Sequence, residues 1–145
     1  MIIRSLPVFL TVLLLAPLAY AKSPVFTTSN GAIRGYDPVA YFSQGKPVKG
    51  SNQHALEWNG ASWHFASAEN RDRFQADPKK YAPQYGGYCS YAVASGYTAS
   101  TDPQAWSIVN GKLYLNYSLG VRKSWRQDIP GYISQANNNW PEVLK

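Results

Sequence analysis

Cysteine and histidine have the widest chemical range of the side chains in this sequence, and the chain contains few of them. It has one cysteine, Cys89, and two histidines, His54 and His64. A lone cysteine cannot close an internal disulfide, so its thiol is a buried packing group, a metal ligand, a redox nucleophile or a partner for another chain. A cysteine beside a histidine suits Cu(I) or a Cys–His nucleophile. Cys89 is therefore the candidate catalytic residue, and Cys89, His64 and His54 are the candidate metal ligands.

The sequence around Cys89 favours a reactive thiol. Gly86 and Gly87 precede it and allow a partner to approach the backbone closely, and residues 88–95 predict a helical turn ended by Gly96. A thiol at the N-terminus of a helix has a lowered pKa. The alternative is a buried, inert cysteine. Because no second cysteine exists, redox chemistry here needs an external thiol or a sulfenic acid intermediate.

The elements that must position these residues are short, and they predict an α+β fold. A small antiparallel sheet from two β-hairpins is expected, with several short helices packed on it. Each hairpin turns at an Asn-Gly pair, which favours a two-residue type I′ turn. The predicted strand pairs are residues 54–58 with 61–66, and residues 106–109 with 112–117.

The first hairpin fixes where the histidines lie. Pairing across its turn places Leu56 opposite Trp63 and His54 opposite Phe65. In that register His54 and His64 are on opposite faces of the hairpin. We therefore do not expect them to share one metal ion from adjacent strands.

The remaining elements follow from capping and turn residues. Serine and Asp-Pro are common at helix starts, and Asp-Pro also forms turns in which the aspartate bonds its own backbone two residues on. The predictions are an extended segment over 31–42 with a turn at Asp37-Pro38, a helix from Ser67 to Ala76 with Phe74 inward, a short helix from Pro78 carrying Tyr81 and Tyr85, a helix from Ser118 through Trp125, and a last helix over 132–138 after an interruption at Pro130-Gly131.

The N-terminus has the order of a secretory signal. Arg4 supplies a positive charge, an apolar run covers residues 6–18, and Ala19 and Ala21 stand at the cleavage-site positions. The run is short for a membrane span, although an uncleaved anchor is the alternative. We expect cleavage after Ala21, a periplasmic or secreted protein, and no membrane span in the mature chain. The basic residues are scattered, which argues against nucleic-acid binding.

Several motifs together resemble a known family. They are Gly35 to Phe42 (Gly-Tyr-Asp-Pro-Val-Ala-Tyr-Phe), Trp63 to Ser67, Arg73-Phe74, Asp77-Pro78 and Tyr81. This combination resembles the YHS domain family. More narrowly, Tyr85 to Cys89 and Asp128 to Gly131 resemble the exported YHS domain-containing (seleno)protein group. The expected organisation is a signal peptide (1–21), an N-terminal tail or strand (22–34), and one YHS-like domain (35–145), with the YHS core over about 35–85 and a C-terminal hairpin and helices over 86–145.

The resemblance carries implications for metal binding. Many YHS domains are similar to small modules that bind metals through cysteines and occur beside copper transport proteins. The three cysteine positions correspond here to Ala40, Ala66 and Asn70, so no thiol remains at any of them. Alanine offers no ligand atom, and asparagine suits soft metals poorly. The label of the narrower group implies that some members carry selenocysteine, and we place that position at Cys89.

Three hypotheses about function follow. The first is binding of a transition metal, copper before others, through Cys89 and a histidine. The second is thiol redox chemistry at Cys89 with a thiol or disulfide partner. The third is a non-catalytic module that binds a small ligand or a protein, with Tyr36, Asp37, Tyr85 and Tyr88 as expected lining residues. No catalytic serine, zinc, phosphate-loop or dinucleotide motif is present, which argues against an enzyme, and the sequence leaves the oligomeric state open.

Overall fold

The computed structural model of the protein describes residues 7–8, 10–15 and 20–145. Residues 1–6, 9 and 16–19, which carry most of the predicted signal peptide, lie outside the described residues. The signal peptide therefore stays a prediction. Across the described ranges, no helix is both long enough and apolar enough to cross a membrane.

Short helices and two-stranded antiparallel sheets make up the described chain, which confirms the α+β class. The strands are β1 (Thr27–Thr28), β2 (Gly31–Ala32), β3 (Ser51–Trp58), β4 (Ala61–Phe65), β5 (Trp106–Val109) and β6 (Lys112–Leu115). The α-helices are α1 (Pro38–Ser43), α2 (Ala68–Ala76), α3 (Pro78–Tyr81), α4 (Ser90–Ala94), α5 (Leu119–Trp125) and α6 (Ile129–Asn139). Single 3₁₀ turns cover Ile33–Gly35, Gln84–Gly87, Arg126–Asp128 and Glu142–Leu144.

The hairpins differ from the expectation of one shared sheet. The pairs β1–β2, β3–β4 and β5–β6 form three separate two-stranded sheets. Side-chain packing joins them instead, because Trp63 and Phe65 of β4 belong to the same buried cluster as Leu113 and Leu115 of β6. Apolar contact between the hairpins therefore replaces hydrogen bonding between their strands.

The first hairpin confirms part of the predicted register and corrects the rest. Leu56 pairs with Trp63 as expected, but Phe65 pairs with Ser51 and not with His54. The register shifts between Ser51 and Ala55. Extra residues in one strand bend it and change which residues oppose each other, and a periodicity argument cannot locate such a shift.

The segment over residues 31–42 is not extended as predicted. After β2 the chain makes a 3₁₀ turn, and α1 starts at Pro38 with Asp37 as its N-cap. Asp37 Oδ1 accepts hydrogen bonds from the backbone N–H groups of Val39 at 2.8 Å and Ala40 at 3.3 Å. An Asp-Pro pair is both a turn signal and an N-cap followed by proline in the first helical turn. In the structure, Asp37 is the N-cap of α1 and Pro38 is its first residue.

The other helix predictions are largely confirmed. Ser67 caps α2, with Phe74 fully buried, and Ser118 caps α5. Two predictions were wrong. The helix α3 ends at Tyr81, so Tyr85 lies in a 3₁₀ turn with a φ of 57°. The helix α6 begins at Ile129, and Pro130-Gly131 forms its first turn, because a proline there removes only an N–H that has no partner within the helix.

Residues 22–34 contain the short strands β1 and β2 and pack against the rest of the chain. The side chain of Val25 is 1% exposed, and the backbone N–H of Phe26 donates to the carbonyl of Gly86 at 2.9 Å. Gly86 has a φ of 62°, and a Cβ atom there would overlap the carbonyl of Pro24. The N-terminal segment of the same chain, at Pro24, therefore occupies the space beside the backbone of Gly86.

Two buried clusters share strand β6. Leu113 and Leu115 belong to the first, and Tyr114 between them belongs to the second, as the two-residue period of a strand requires. The N-terminal core consists of Val25, Ala32, Ile33, Val39, Tyr41, Ala61, Trp63, Phe65, Phe74, Ala82, Leu113 and Leu115. The C-terminal core consists of Tyr85, Tyr88, Val93, Ala94, Tyr114, Trp125, Ala136 and Leu144.

Candidate functional site

Asp37 is a fully buried carboxylate that joins α1 to the start of α2. Its Oδ1 atom accepts from the backbone of Val39 and Ala40, as α1 requires. Its Oδ2 atom accepts from the backbone N–H of Ala66 and from Nδ2 of Asn70, each at 2.8 Å. A carboxylate has about four acceptor positions, and four N–H groups fill them. The predicted contact of Asp37 with its own backbone two residues on is confirmed at Val39, where it caps α1 and does not form an isolated turn.

The positions where the resemblance implies cysteines meet around this carboxylate. Ala40 and Ala66 donate backbone N–H groups to Asp37, and Asn70 donates its side-chain amide. A set of N–H donors around a saturated carboxylate leaves no lone pair for a cation, and no thiol is present for a soft metal. These residues do not fit a bound metal, so the cluster acts as a structural joint.

Cys89 stands at the N-cap of α4 and is 1% exposed. Its Sγ atom lies 3.3 Å from the backbone N–H of Tyr117, which donates to it, and 3.6 Å from Oδ1 of Asn116. Burial raises the pKa of the thiol, while backbone N–H groups of Ala92, Tyr117 and Tyr91 act in the opposite direction with smaller effect. The net direction is opposite to the one expected from a helix N-terminus, because the desolvation of a thiolate dominates here.

The histidines belong to the first hairpin, and neither forms a hydrogen bond with Cys89 among the residues the structure describes. Both are half-buried. His64 lies against the N-terminal segment, where a Cβ atom added at Gly35 would be 3.5 Å from its Nδ1. Over the same residues, no group of three or more His, Cys, Asp or Glu side chains could hold a metal. A copper site on Cys89, His64 and His54 stays a prediction.

Three buried polar atoms have no hydrogen-bond partner in the described part of the chain, and they lie in α4, in α5 and directly after β6. They are Oγ of Ser90, Nδ2 of Asn116 and Nε1 of Trp125, and all three residues are 0% exposed. Most buried polar groups in proteins are paired. The surroundings of Cys89 are therefore less completely hydrogen-bonded than those of Asp37.

A cavity of about 480 Å³ opens between the two cores. Trp58 and Trp63 line it from the N-terminal side, and Tyr85 and Trp140 line it from the C-terminal side. Its volume falls in the range of roughly 300–1,000 Å³ that is typical of small-molecule sites. This cavity is the best candidate for a functional site on the molecule.

Hydrogen bonds and ring contacts hold the cavity walls in place. Trp63 Nε1 donates to the carbonyl of Trp58 at 2.9 Å, and the hydroxyl of Tyr85 donates to Oδ1 of Asn137 at 2.9 Å. Burial raises the pKa of Tyr85 above its ordinary value, so the phenol is neutral at physiological pH. Trp58 and Trp140 are half-buried, and their indole N–H groups donate to no described residue. Both indoles are free to contact a ligand.

The predicted lining residues are only partly in the cavity. Tyr85 lies in the cavity wall, and its role in ligand binding stays a prediction. Tyr88 packs against Trp140 at 6.2 Å between ring centroids, and its hydroxyl donates to the carbonyl of Ser23. Tyr36 and Asp37 are not among the lining residues, and their role in ligand binding stays a prediction.

Sequence reasoning missed the two half-buried tryptophans, Trp58 and Trp140. Trp58 ends β3 beside the Asn59-Gly60 turn, and Trp140 follows α6. An aromatic residue at the end of an element, next to a turn, was the available signal. Nothing in the sequence indicates that these distant positions line one cavity.

Comparison with known proteins adds one finding. The YHS domain family model matches residues 39–85, from the first turn of α1 to the cavity wall at Tyr85. No curated protein and no solved structure matches the chain. The matched segment contains β3, β4 and α2, and it supplies the N-terminal side of the cavity.

Proposed function

Starting from the YHS domain at residues 39–85, we propose that this protein is a non-catalytic binding module whose aromatic cavity takes a small, flat, largely apolar ligand. The observation that carries the proposal is the cavity of about 480 Å³ with aromatic walls from both cores. An apolar pocket with a few polar groups is the default binding site of a protein. The thiol, by comparison, is buried and has a raised pKa.

The ring arrangement supports recognition by stacking. Trp58 lies 5.7 Å from Trp63 and 5.6 Å from Phe74 between ring centroids, and Tyr85 lies 6.0 Å from Trp140. Rings at such separations support one another. Because neighbouring rings already restrain these side chains, little conformational freedom is lost when a ligand binds.

A binding experiment tests the proposal directly. We would titrate the full chain with N-phenyl-1-naphthylamine, an uncharged dye that fluoresces in apolar surroundings. Trp58, Trp63 and Trp140, three of the five tryptophans, line the cavity. Energy transfer from tryptophan to the dye therefore reports binding, and the variants described next locate the bound dye. We expect saturable binding of one dye per chain.

A matched pair of variants distinguishes the cavity from general surface binding. Gln84 lines the cavity, so Gln84→Phe fills part of it, whereas Gln75 lies exposed on α2, and Gln75→Phe adds the same ring elsewhere. We expect Gln84→Phe to weaken dye binding about tenfold and Gln75→Phe to leave it unchanged. Equal binding by the two variants, or no saturable binding by the unmodified chain, would overturn the proposal.

We further propose that the protein is exported, as the resemblance to the exported (seleno)protein group and the N-terminal sequence both suggest. Tyr20 lines the cavity and precedes the expected cleavage position after Ala21. Cleavage would therefore remove one side chain from the cavity wall. N-terminal sequencing of the protein recovered outside the cytoplasm tests this, with Lys22 expected as the first residue and a retained Met1 as the contrary result.

A further inference from the structure

We infer that the ligand of the aromatic cavity carries a negatively charged group, which Lys79 and Lys112 recognise. This inference rests on the proposed function and names the class of ligand: a planar, largely apolar ring system with a carboxylate, sulfonate or phosphate. Two lysines line the cavity, and no aspartate or glutamate among the described residues does. The charged residues that line the cavity therefore have one sign.

The two lysines come from different parts of the fold. Lys79 belongs to α3, and Lys112 begins β6 directly after the turn at Asn110-Gly111. Both are exposed, and neither forms an ion pair or a side-chain hydrogen bond with any described residue. Lys145, by contrast, is paired with Glu142. The charges of Lys79 and Lys112 are thus available to a ligand.

The position of these charges suits an anion attached to a ring. A lysine stem lies along apolar surface while its ammonium group stays in water. A ring held between the aromatic walls would therefore direct a charged substituent toward the ammonium groups at the cavity edge. One-signed charge at a cleft also concentrates ligands of the opposite sign.

The neighbouring Lys80 provides a natural control. It follows Lys79 in α3, but its ammonium group lies over the ring of Tyr81 at 5.2 Å, and it does not line the cavity. Lys80→Gln removes the same charge from the same helix. If Lys79→Gln weakens ligand binding and Lys80→Gln does not, the effect comes from the position of Lys79 at the cavity and not from the loss of net charge.

The test compares two dyes that differ by one anionic group. N-phenyl-1-naphthylamine and 8-anilinonaphthalene-1-sulfonate share a ring system, and only the second carries a sulfonate. We expect the full chain to bind the sulfonated dye about fivefold more tightly, with the difference shrinking as salt rises from about 0.05 M to about 0.5 M. The uncharged dye should show no comparable dependence on salt.

The lysine variants complete the test. We expect Lys79→Gln and Lys112→Gln each to weaken binding of the sulfonated dye about twofold, and the double variant about fivefold, in the range measured for exposed charge pairs. Lys80→Gln should have no effect, and no variant should change binding of the uncharged dye. Equal affinity for the two dyes, or a double variant that keeps the preference, overturns the inference while the cavity stands. Failure of both dyes to bind overturns the proposed function as well.

Discussion

The buried carboxylate of Asp37 and the buried amide of Asn116 differ in how fully their hydrogen-bonding groups are paired. Both residues are 0% exposed. Asp37 accepts four N–H groups. Asn116 accepts from Tyr91 and contacts Cys89, but its Nδ2 atom has no partner among the described residues. A buried polar group that is left unpaired costs stability, whereas a paired one contributes modestly.

The fold therefore contains one buried polar site that is fully hydrogen-bonded and one that is not. Around Asp37, the positions at which the resemblance implies metal-binding cysteines have become a saturated hydrogen-bonded joint. Around Cys89, Nδ2 of Asn116 and Oγ of Ser90 have no described hydrogen-bond partner. Burial raises the pKa of the Cys89 thiol. Asp37 and Cys89 are both buried, whereas the aromatic cavity between the cores is open to solvent.

The largest expected effect is at Asp37. Asp37→Asn replaces an acceptor with an amide group that faces N–H donors, so at least two of them lose their partner. We expect the free energy of unfolding to fall by about 3 kcal/mol, measured by urea denaturation. Asp72→Asn is the control, because Asp72 is exposed and its ion pair with Arg71 is at the surface. A loss at Asp37 no larger than the loss at Asp72 would contradict the structural role.

Alkylation of Cys89 tests the other region. Because the thiol is 1% exposed, we expect iodoacetamide to modify it about a hundredfold more slowly in the native protein than in urea, since reaction requires local opening. One equivalent of Cu(I) should leave the native rate unchanged. Rapid native alkylation would instead support thiol redox chemistry, and a rate that copper lowers would support the copper site.

The pH dependence of stability follows from the raised pKa of Cys89. A folded-state pKa above the unfolded value of about 8.5 means that the unfolded chain loses its proton first. The contribution of Cys89 is therefore complete below pH of about 8.5 and decreases at higher pH, by at most about 1.4 kcal/mol per pH unit. Urea midpoints from pH 7 to about pH 9.5 should fall more steeply in the unmodified protein than in Cys89→Ala. Parallel curves would show that the thiol pKa is not raised on folding.

The smallest expected effects come from two serines at helix starts. The hydroxyl of Ser90 is buried without a described partner, whereas Oγ of Ser67 accepts from the backbone of Asn70 at 3.1 Å. Ser90→Ala removes an unpaired group and should stabilise the protein by up to about 1 kcal/mol. Ser67→Ala removes a cap and should destabilise it by about 1 kcal/mol. If both changes destabilise the protein equally, then Ser90 has a partner, and the contrast between the two regions disappears.

The elements predicted correctly from the sequence are those whose signals are local. Asn-Gly turns, the caps Ser67 and Ser118, and the pairing of Leu56 with Trp63 are each specified by a few neighbouring residues. The errors arose where one local signal permits two structures. Asp37-Pro38 can start a turn or a helix, and the strand containing His54 can carry a register shift that periodicity does not reveal.

The candidate site was less predictable than the fold. The sequence drew attention to Cys89 and the histidines because their side chains have reactive chemistry, but reactivity depends on burial and on neighbours. The pKa of Cys89 rises because its thiol is buried, and two of the groups that contact the thiol, in Asn116 and Tyr117, are 27 and 28 positions further along the chain. Similarly, Trp58 and Trp140 line one cavity only because the two cores meet there.

By itself, the sequence determined the two Asn-Gly hairpins, the serine-capped helices, the α+β class, the single thiol and the lack of cysteines at Ala40, Ala66 and Asn70. These depend on residue identity and on neighbours within a few positions. The tertiary structure alone decided that Asp37 is saturated, that Cys89 is buried, and that aromatic rings from both halves line an open cavity beside two lysines. Hydrogen-bond saturation, desolvation and cavity shape all depend on groups that are distant in the chain, and only folding brings those groups together.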